Sequence, residues 1–527
     1  MVQAVKEAGG AAPVQDARAA RFLLATASAT CALIVLDTNV VAVSLPSIAR
    51  SFHAGFADVE WVVSAYMVSF ASCLLPMGAL ADRYGRRRML LCGLVAFALA
   101  SLGCGLAPGV LFLNLARAAK GVGAAMLLTA ALASIAHAFP GPRERARAWA
   151  IWGMTMGIAT TVAPLVGGVI TQWLGWRWVF LLNLPVCAAL IGCAWRALPG
   201  GVPPKPHGAP VHRIDFAGSA LFGAGLAIGI WALIGAQDDG WTSAPTMLRV
   251  ALCVLLLAAF VRTERRRAHA MVDLALFSQP RFVAAVLGMF GYAACAQVMM
   301  TFLPLYLQNA FDWPALRAGS GMLPFAVAMV AGPYLGARIG RRLPVLSMLS
   351  VGLLLVGAGN LLTAAVAAQR DYWLVAAGMI VTGLGAGVLN GDTQRAIVSC
   401  VPPHRAGMAS GISTTTRFTA IVTSIGVLGA VLASRTRAAL DAGLDAHGMS
   451  SGGLDARFMS DLLSGDGAHA LGRLAPALRA IVEPVAPASF AGGFAAALAI
   501  AGAAAVTFAA AIALLAARGE RVVGEVA

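Results

Sequence analysis

Charge is what this sequence has least of. Only 12% of its 527 residues are Asp, Glu, Lys or Arg, 59% are hydrophobic, and the mean hydropathy is +0.80. A soluble domain needs far more polar surface, so a soluble globular fold is excluded. Signatures of common catalytic chemistry are missing as well. There is no HExxH or GxxxxGK[ST] run and no CxxC pair, and the eight histidines are scattered. All nine cysteines fall inside apolar runs and read as small packing residues. No metal and no cofactor is expected, and the chain does not read as an enzyme. No cleavable signal peptide is evident, because the first apolar run, FLLATASATCALIVLDTNVVAVSLP, is long enough to cross a membrane as a retained helix.

What the chain has instead is a succession of apolar runs. A bilayer core takes roughly 20 apolar residues per helical crossing. Fourteen windows of this kind are present, at 22–47, 59–80, 89–107, 110–139, 148–173, 177–198, 216–236, 247–262, 282–307, 316–337, 344–368, 372–400, 406–433 and 488–517. The expected fold is an all-α polytopic membrane protein with 14 transmembrane helices. When every window crosses, Lys and Arg outnumber Asp and Glu in the segments on one side only, which places both termini in the cytoplasm. That alternation also accounts for the net charge of +15. The arginine clusters sit at alternate helix ends, where they set topology and meet membrane lipids, and no nucleic acid partner is implied.

The expected organisation is a cytoplasmic tail at 1–21, a six-helix bundle at 22–198, and a linker at 199–215 that begins PGGVPPKPHGAPVHR. An extra helix pair at 216–262 and a basic linker at 263–281 follow. A second six-helix bundle at 282–517 contains a polar outside segment, 434–487, and 518–527 is a tail. Each bundle has a Gly/Arg signal after its second helix, GALADRYGRRR in the first and GARIGRRLP in the second. Weak repetition of this kind marks duplicated transporter halves.

The few charges inside the apolar runs carry the chemistry. A carboxylate within a span costs several kcal/mol unless it meets water or a partner, so Asp37 is by default a proton or ligand site. Counting about 1.5 Å per residue from the outer helix ends puts Asp37 and Arg117 at matching depths, where they can pair. Lys120 is three residues from Arg117, near the same helix face, and adds a second cation. In the second half Asp392 and Arg417 are the charges well inside spans. By depth they can pair or share a cavity, and Asp392 reads equally as a second protonation site or as a structural ion pair. Trp173, Trp176 and Trp178 read as interfacial anchors.

Five motifs occur in a fixed order: LDTNVVAVSLPSI, GALADRYGRRR, RAAKGVGAA, GIATTVAPLVGG and WRWVFLLNLPV. Together they resemble the major facilitator superfamily, specifically its fourteen-span drug and proton antiporter branch. The resemblance implies a proton-coupling role for Arg117 beside Asp37, so that protonating Asp37 breaks the pair and changes the open face. It implies a cytoplasmic gate at Gly78, Asp82, Arg83, Gly85, Arg86 and Arg87, with Asp82 latching the cytoplasmic side shut and the glycines allowing close backbone approach. It also implies an antiporter element at Gly157, Pro164, Gly167 and Gly168, forming a seam between the halves. Two positions depart from the pattern: Lys120 stands where Gln is usual, and Ala163 stands where Gly is usual. The implied activity is alternating-access export of small amphipathic compounds from the cell across the inner (plasma) membrane, driven by the proton gradient, by a monomer. The alternatives are a transporter dedicated to one endogenous metabolite, in either direction, and a non-transporting sensor or scaffold.

Overall fold

Among the described residues every element is a helix, as expected of a chain with so little polar surface. The computed structural model describes residues 17–139, 142–198, 216–266, 274–297, 299–339, 343–401, 406–446, 456–464 and 467–524. The linker at 199–215 and the end of the second Gly/Arg signal, 340–342, lie outside the described residues.

The first half runs α1 (Ala17–Phe52), α2 (Phe56–Tyr84), α3 (Arg86–Gly105), α4 (Val110–Ala138) and α5 (Pro142–Trp173), then α6 (Arg177–Leu181) and α7 (Asn183–Ala197). The last two form one crossing with a break. Pro185 explains the break, since its ring removes the bond to the Leu181 carbonyl four residues back and crowds it. An extra pair follows, α8 (Phe216–Asp239) and α9 (Ala244–Arg266).

The second half begins with α10 (Pro280–Tyr292), which passes through a π-helical turn, Ala293–Gln297, into α11 (Met299–Phe311). Next, α12 (Ala315–Gly321) and α13 (Leu323–Ile339) share a crossing broken at Pro324 by the same mechanism. The remaining elements are α14 (Val345–Ala367), α15 (Tyr372–Ser399), α16 (Ala406–Asp445), α17 (Ala456–Ser464), α18 (Gly467–Gly472) and α19 (Pro476–Gly524).

Among the described residues, 13 helical segments are long and apolar enough to cross a membrane. The 29-residue α2 covers the remaining window expected from the sequence. Many large apolar side chains face outward, among them Leu99, Leu111, Leu248, Leu255 and Trp373. Helices apolar on the packed side and on the outward side suit lipid as solvent.

Helices α1 to α7 pack among themselves, as do α10 to α16 with α19. Within a bilayer such packing rests on small residues that let backbones approach. Gly121 of α4 is one, because a Cβ there would overlap Ser69 Oγ and the Tyr66 carbonyl of α2. Helix α8 wedges between the halves, with Gly223 against Ser72 of α2 and Leu233 against Gly426 of α16.

The polar segment expected at 434–487 is largely helical. Both α16 and α19 run into it, and α17 and α18 lie between them. Phe458, Met459, Leu462 and Leu463 of α17 are buried, and the helix contacts α1, α2, α11 and α16, elements of both halves. Arg473 pairs with Asp461, and Asn309 of α11 donates to the Leu463 carbonyl at 3.5 Å. An amphipathic helix therefore closes one end of the seam, the end away from the turn at Gly85.

Candidate functional site

The first-half site is built on α4. Arg117 and Lys120, one helical turn apart, both point at Asp37 of α1, and all three side chains have no solvent exposure. Arg117 Nη1 donates to Asp37 Oδ2 at 2.9 Å, and its Nε donates to the Val62 carbonyl of α2 at 2.8 Å. The guanidinium lies 4.2 Å from the centre of the Tyr66 ring. Lys120 Nζ donates to Asp37 Oδ1, with the rings of Phe97 and Phe180 at 4.6 and 4.9 Å. Asn183, freed at the break ahead of Pro185, donates to the same Oδ1 at 3.0 Å.

Asp37 thus receives two cations and an amide, drawn from α4 and α7. Burying any one of these charges alone costs several kcal/mol, which the mutual attraction and the three hydrogen bonds offset. The matching depths of Asp37 and Arg117 are observed as a bond. Lys120 is sealed inside the bundle, against two aromatic rings, and does not snorkel to the interface.

The second-half site is organised differently. Arg417 of α16 donates from Nε to Gln297 Oε1 at 2.9 Å and lies 5.6 Å from the Tyr292 ring centre. Tyr292 in turn donates to Asn390 Oδ1 at 3.0 Å. Gln297 ends the π-helical turn, a device that frees backbone carbonyls and recurs at functional sites. Here Asn360 Nδ2 bonds the Cys295 carbonyl at 2.8 Å, and Thr382 bonds Asn360 Oδ1 at 3.2 Å, so the irregular backbone is buried in protein. Asp392 has another partner: its Oδ1 is 3.5 Å from Arg395 Nη1 on the same helix. The structure does not bring Asp392 and Arg417 together.

Across the seam, α5 meets α12 at the α17 end. A Cβ on Gly168 would lie 2.7 Å from the Ala315 carbonyl and 2.8 Å from Leu316 Cα, and one on Gly319 would overlap the Pro164 carbonyl. Gln172 Oε1 accepts from the Leu316 amide at 3.2 Å, and Gln308 donates to the Val43 carbonyl at 3.3 Å. Gly167 faces inward, toward Val40 of α1. A Cβ on Gly157 would make an ordinary contact with Val330 at 3.8 Å, and one on Gly153 would face open space. The seam expected of this motif is therefore carried by Pro164 and Gly168. Deeper in, Phe70 of α2 and Phe418 of α16 meet edge to face at 4.3 Å.

At the other end, Gly85 joins α2 to α3 with φ +94, a conformation that favours glycine, while its amide bonds the Ala81 carbonyl at 3.1 Å. Arg87 stacks on Trp195 at 4.3 Å, Arg83 lies 5.5 Å from the Tyr84 ring, and Arg86 follows in the first turn of α3. Gly78 does not serve a close approach, since a Cβ there would sit 3.9 Å from Thr129. The side chain of Asp82 lies outside the described residues.

Sequence reasoning missed Asn183, Gln297 and the ring cage of Tyr66, Phe97 and Phe180. It also missed Glu60 of α2, buried against Gly429 of α16, where a Cβ would overlap its carboxylate. A polar amide beside a proline in an apolar run was a usable signal for Asn183. A lateral groove of about 740 Å³ between α2, α4 and α8 is lined by residues such as Trp61, Pro76 and Ser219, and by none of the charged cluster.

Two helical halves, a sealed ion cluster in one and an amide-held arginine in the other define a polytopic membrane transporter of the secondary type. The chain belongs to the Major Facilitator Superfamily, whose family model matches residues 27–426. It is accordingly a transporter and not an enzyme. It is 34% identical to multidrug resistance protein Stp of Mycobacterium tuberculosis (strain CDC 1551 / Oshkosh), over 78% of this chain and 76% of that one. The methylenomycin A resistance protein of Streptomyces coelicolor is 31% identical over 76% of this chain and 83% of its own length. The tetracenomycin C resistance and export protein of Streptomyces glaucescens is 30% identical, over 76% and 74%. Among solved structures, peptide transporter POT in complex with sulfate matches with a TM-score of 0.62 at 15% identity, covering 95% of both chains. A bacterial homolog of the human lysosomal transporter Spinster, inward-facing and unoccupied, matches at 0.59 and 16%, covering 95% and 99%. At such identities these two speak for the fold alone.

Proposed function

We propose that this chain is a fourteen-span, inner-membrane, proton-coupled exporter of small amphipathic compounds, working as a monomer with both termini in the cytoplasm. One observation carries the coupling: a carboxylate, a guanidinium and an ammonium gathered without solvent exposure in the first bundle. Ionisable groups sealed in a span are costly, and transporters keep them as proton relays. Antibiotic resistance and export in the names of three relatives support drug-like cargo moving outward. With the termini inside, the α17 end faces outward, and the packing of Gly168, Gly319 and α17 makes this a state closed to the outside. Arg417 with Gln297 is the polar element of the second bundle that we assign to the translocation path. Asp392 is assigned to its local ion pair with Arg395. The gate at Gly78, Asp82, Arg83, Gly85, Arg86 and Arg87 is assigned to the cytoplasmic face.

The test uses methylenomycin A, tetracenomycin C and puromycin as probes, the last because a puromycin resistance protein of Streptomyces alboniger is 34% identical. Expression in a pump-deficient host is expected to raise resistance to at least one probe. In proteoliposomes, that probe is expected to move against an imposed pH gradient. Co-movement of probe with protons would indicate uptake. No movement of any probe, with the protein folded, would favour a sensor or scaffold.

A further inference from the structure

The cluster around Asp37 holds one positive charge more than it can balance. Asp37 supplies one carboxylate, Arg117 and Lys120 supply two cations, and none of the three is exposed. The groups packed around Lys120 do not make up the difference. From α2 comes the Tyr66 phenol, beside Arg117. From α3 come the Phe97 ring and the Cys104 thiol, from α6 the Phe180 ring, and from α7 the Cys187 thiol and the Asn183 amide. All are neutral in their ordinary forms.

A single proton can change this charge in two ways. Protonating Asp37 raises the excess from one to two and leaves two cations one turn apart with no counterion. Removing a proton from Lys120 brings the cluster to neutrality. The remaining Asp37–Arg117 pair keeps its 2.9 Å bond, with the Val62 carbonyl holding Nε and Asn183 holding Oδ1. Arg117 cannot be the donor, because a guanidinium stays protonated in proteins while a buried lysine gives up its proton readily. A dry site disfavours the state of higher uncompensated charge.

We propose that the proton coupled to transport is carried on Lys120 Nζ, with Asp37 and Arg117 remaining a permanent ion pair. When the first bundle opens to the cytoplasm, one N–H bond of the ammonium breaks, its electron pair stays on Nζ, and the proton passes to entering water. When the site opens to the outside, Nζ takes a proton from water there and the ammonium re-forms. The neutral amine no longer holds the Asp37 carboxylate by charge, so the α1 to α4 contact loosens on the Lys120 side and persists on the Arg117 side. This inference rests on the reading of the chain as a proton-coupled exporter.

Two measurements test it. The first compares wild type, Lys120→Arg and Lys120→Gln in proteoliposomes with whichever of the three probes wild type moves. Lys120→Arg keeps the positive charge and Asp37 but cannot release a proton. It is expected to retain probe counterflow while its accumulation under a pH gradient falls to the equilibrium ratio. Lys120→Gln is expected to do the same, and serves if the arginine variant does not fold. Accumulation under a pH gradient by either variant, with the wild-type pH profile, would overturn the proposal and return the proton to Asp37.

The second measurement needs no probe. The chain has only three lysines, at 6, 120 and 205. Lysine side-chain NMR of the protein in nanodiscs, assigned with Lys6→Arg and Lys205→Arg, reads the charge of Lys120 directly. A Lys120 signal that changes from ammonium to amine across the working pH range supports the proposal, and one that stays charged throughout overturns it. If wild type moves no probe yet Lys120 titrates, the exporter reading fails while the proton site stands.

Discussion

The arrangement around Asp37 makes the stability of the first bundle a matter of summed charge, which Asp37→Asn tests. The amide keeps the shape and one acceptor oxygen but removes the only carboxylate bonded to Arg117 and Lys120. Two cations then lie buried without a counterion. Stripping one partner from a buried pair costs about 3–5 kcal/mol. At about 2–4 °C per kcal/mol for a body of this size, melting falls by roughly 10 °C. The charge count makes a finer prediction. Lys120→Met leaves one carboxylate and one guanidinium, with a stem of similar shape against Phe97 and Phe180, and is expected to melt at or above wild type. Asp37→Asn with Lys120→Met restores the wild-type excess of one and is expected to recover part of the loss. Detergent-solubilised protein followed by tryptophan fluorescence during heating gives all four values. If Lys120→Met drops the melting temperature as far as Asp37→Asn, individual contacts govern the cluster and the charge argument is refuted.

Gly168→Leu places a side chain against the Ala315 carbonyl and Leu316 Cα, so it is expected to push α5 from α12. A Gln172→Cys, Leu316→Cys pair should then cross-link at a reduced rate; unchanged cross-linking would show that the seam yields elsewhere. Asn360→Ala removes the donor to the Cys295 carbonyl and the acceptor for Thr382, and should cost about 1–3 kcal/mol in thermal stability. No loss would mean that the π-helical turn reverts to regular helix. Asp82→Asn is expected to raise the ratio of inward-open to outward-open protein in a cysteine cross-linking assay. An unchanged ratio would reduce the Gly85 turn to a topology signal.

The first-half site was legible because charge inside a span is rare and depth can be counted. Asp37, Arg117 and Lys120 announce themselves against apolar neighbours, and a rise of about 1.5 Å per residue fixes which can meet. The cage around them was not legible. Phe97 and Phe180 are ordinary apolar residues of ordinary spans, and only packing shows that their rings enclose the ammonium. Arg417 announced itself by the same rule, but its partner was hidden for a different reason: Gln297 lies in a π-helical turn, where regular helical spacing no longer tells which face a side chain presents. Gly78 misled, since a glycine in a motif does not show whether a backbone approaches it. The burial of α17 against both halves was hidden because that segment has no long apolar run, and it comes from a few residues of a short amphipathic helix.

A route from the charge cluster to the seam follows from backbone packing alone. Val40 lies one turn beyond Asp37 on α1, and a Cβ on Gly167 would meet its carbonyl at 2.9 Å and its Cα at 3.2 Å. The next residue, Gly168, faces Ala315 and Leu316 of the other half. Helices α1, α5 and α12 are therefore in contact in sequence, with glycine at both crossings on α5 and no flexible side chain between to absorb a shift. Close-packed interiors transmit displacement in this way. A change in what holds Asp37 moves α1 against Gly167, and α5 passes that movement to α12. On this account Gly168→Leu acts on the open and closed populations and leaves the ion cluster intact, whereas Asp37→Asn acts on both. That difference separates a seam residue from a charge residue when neither touches the transported compound.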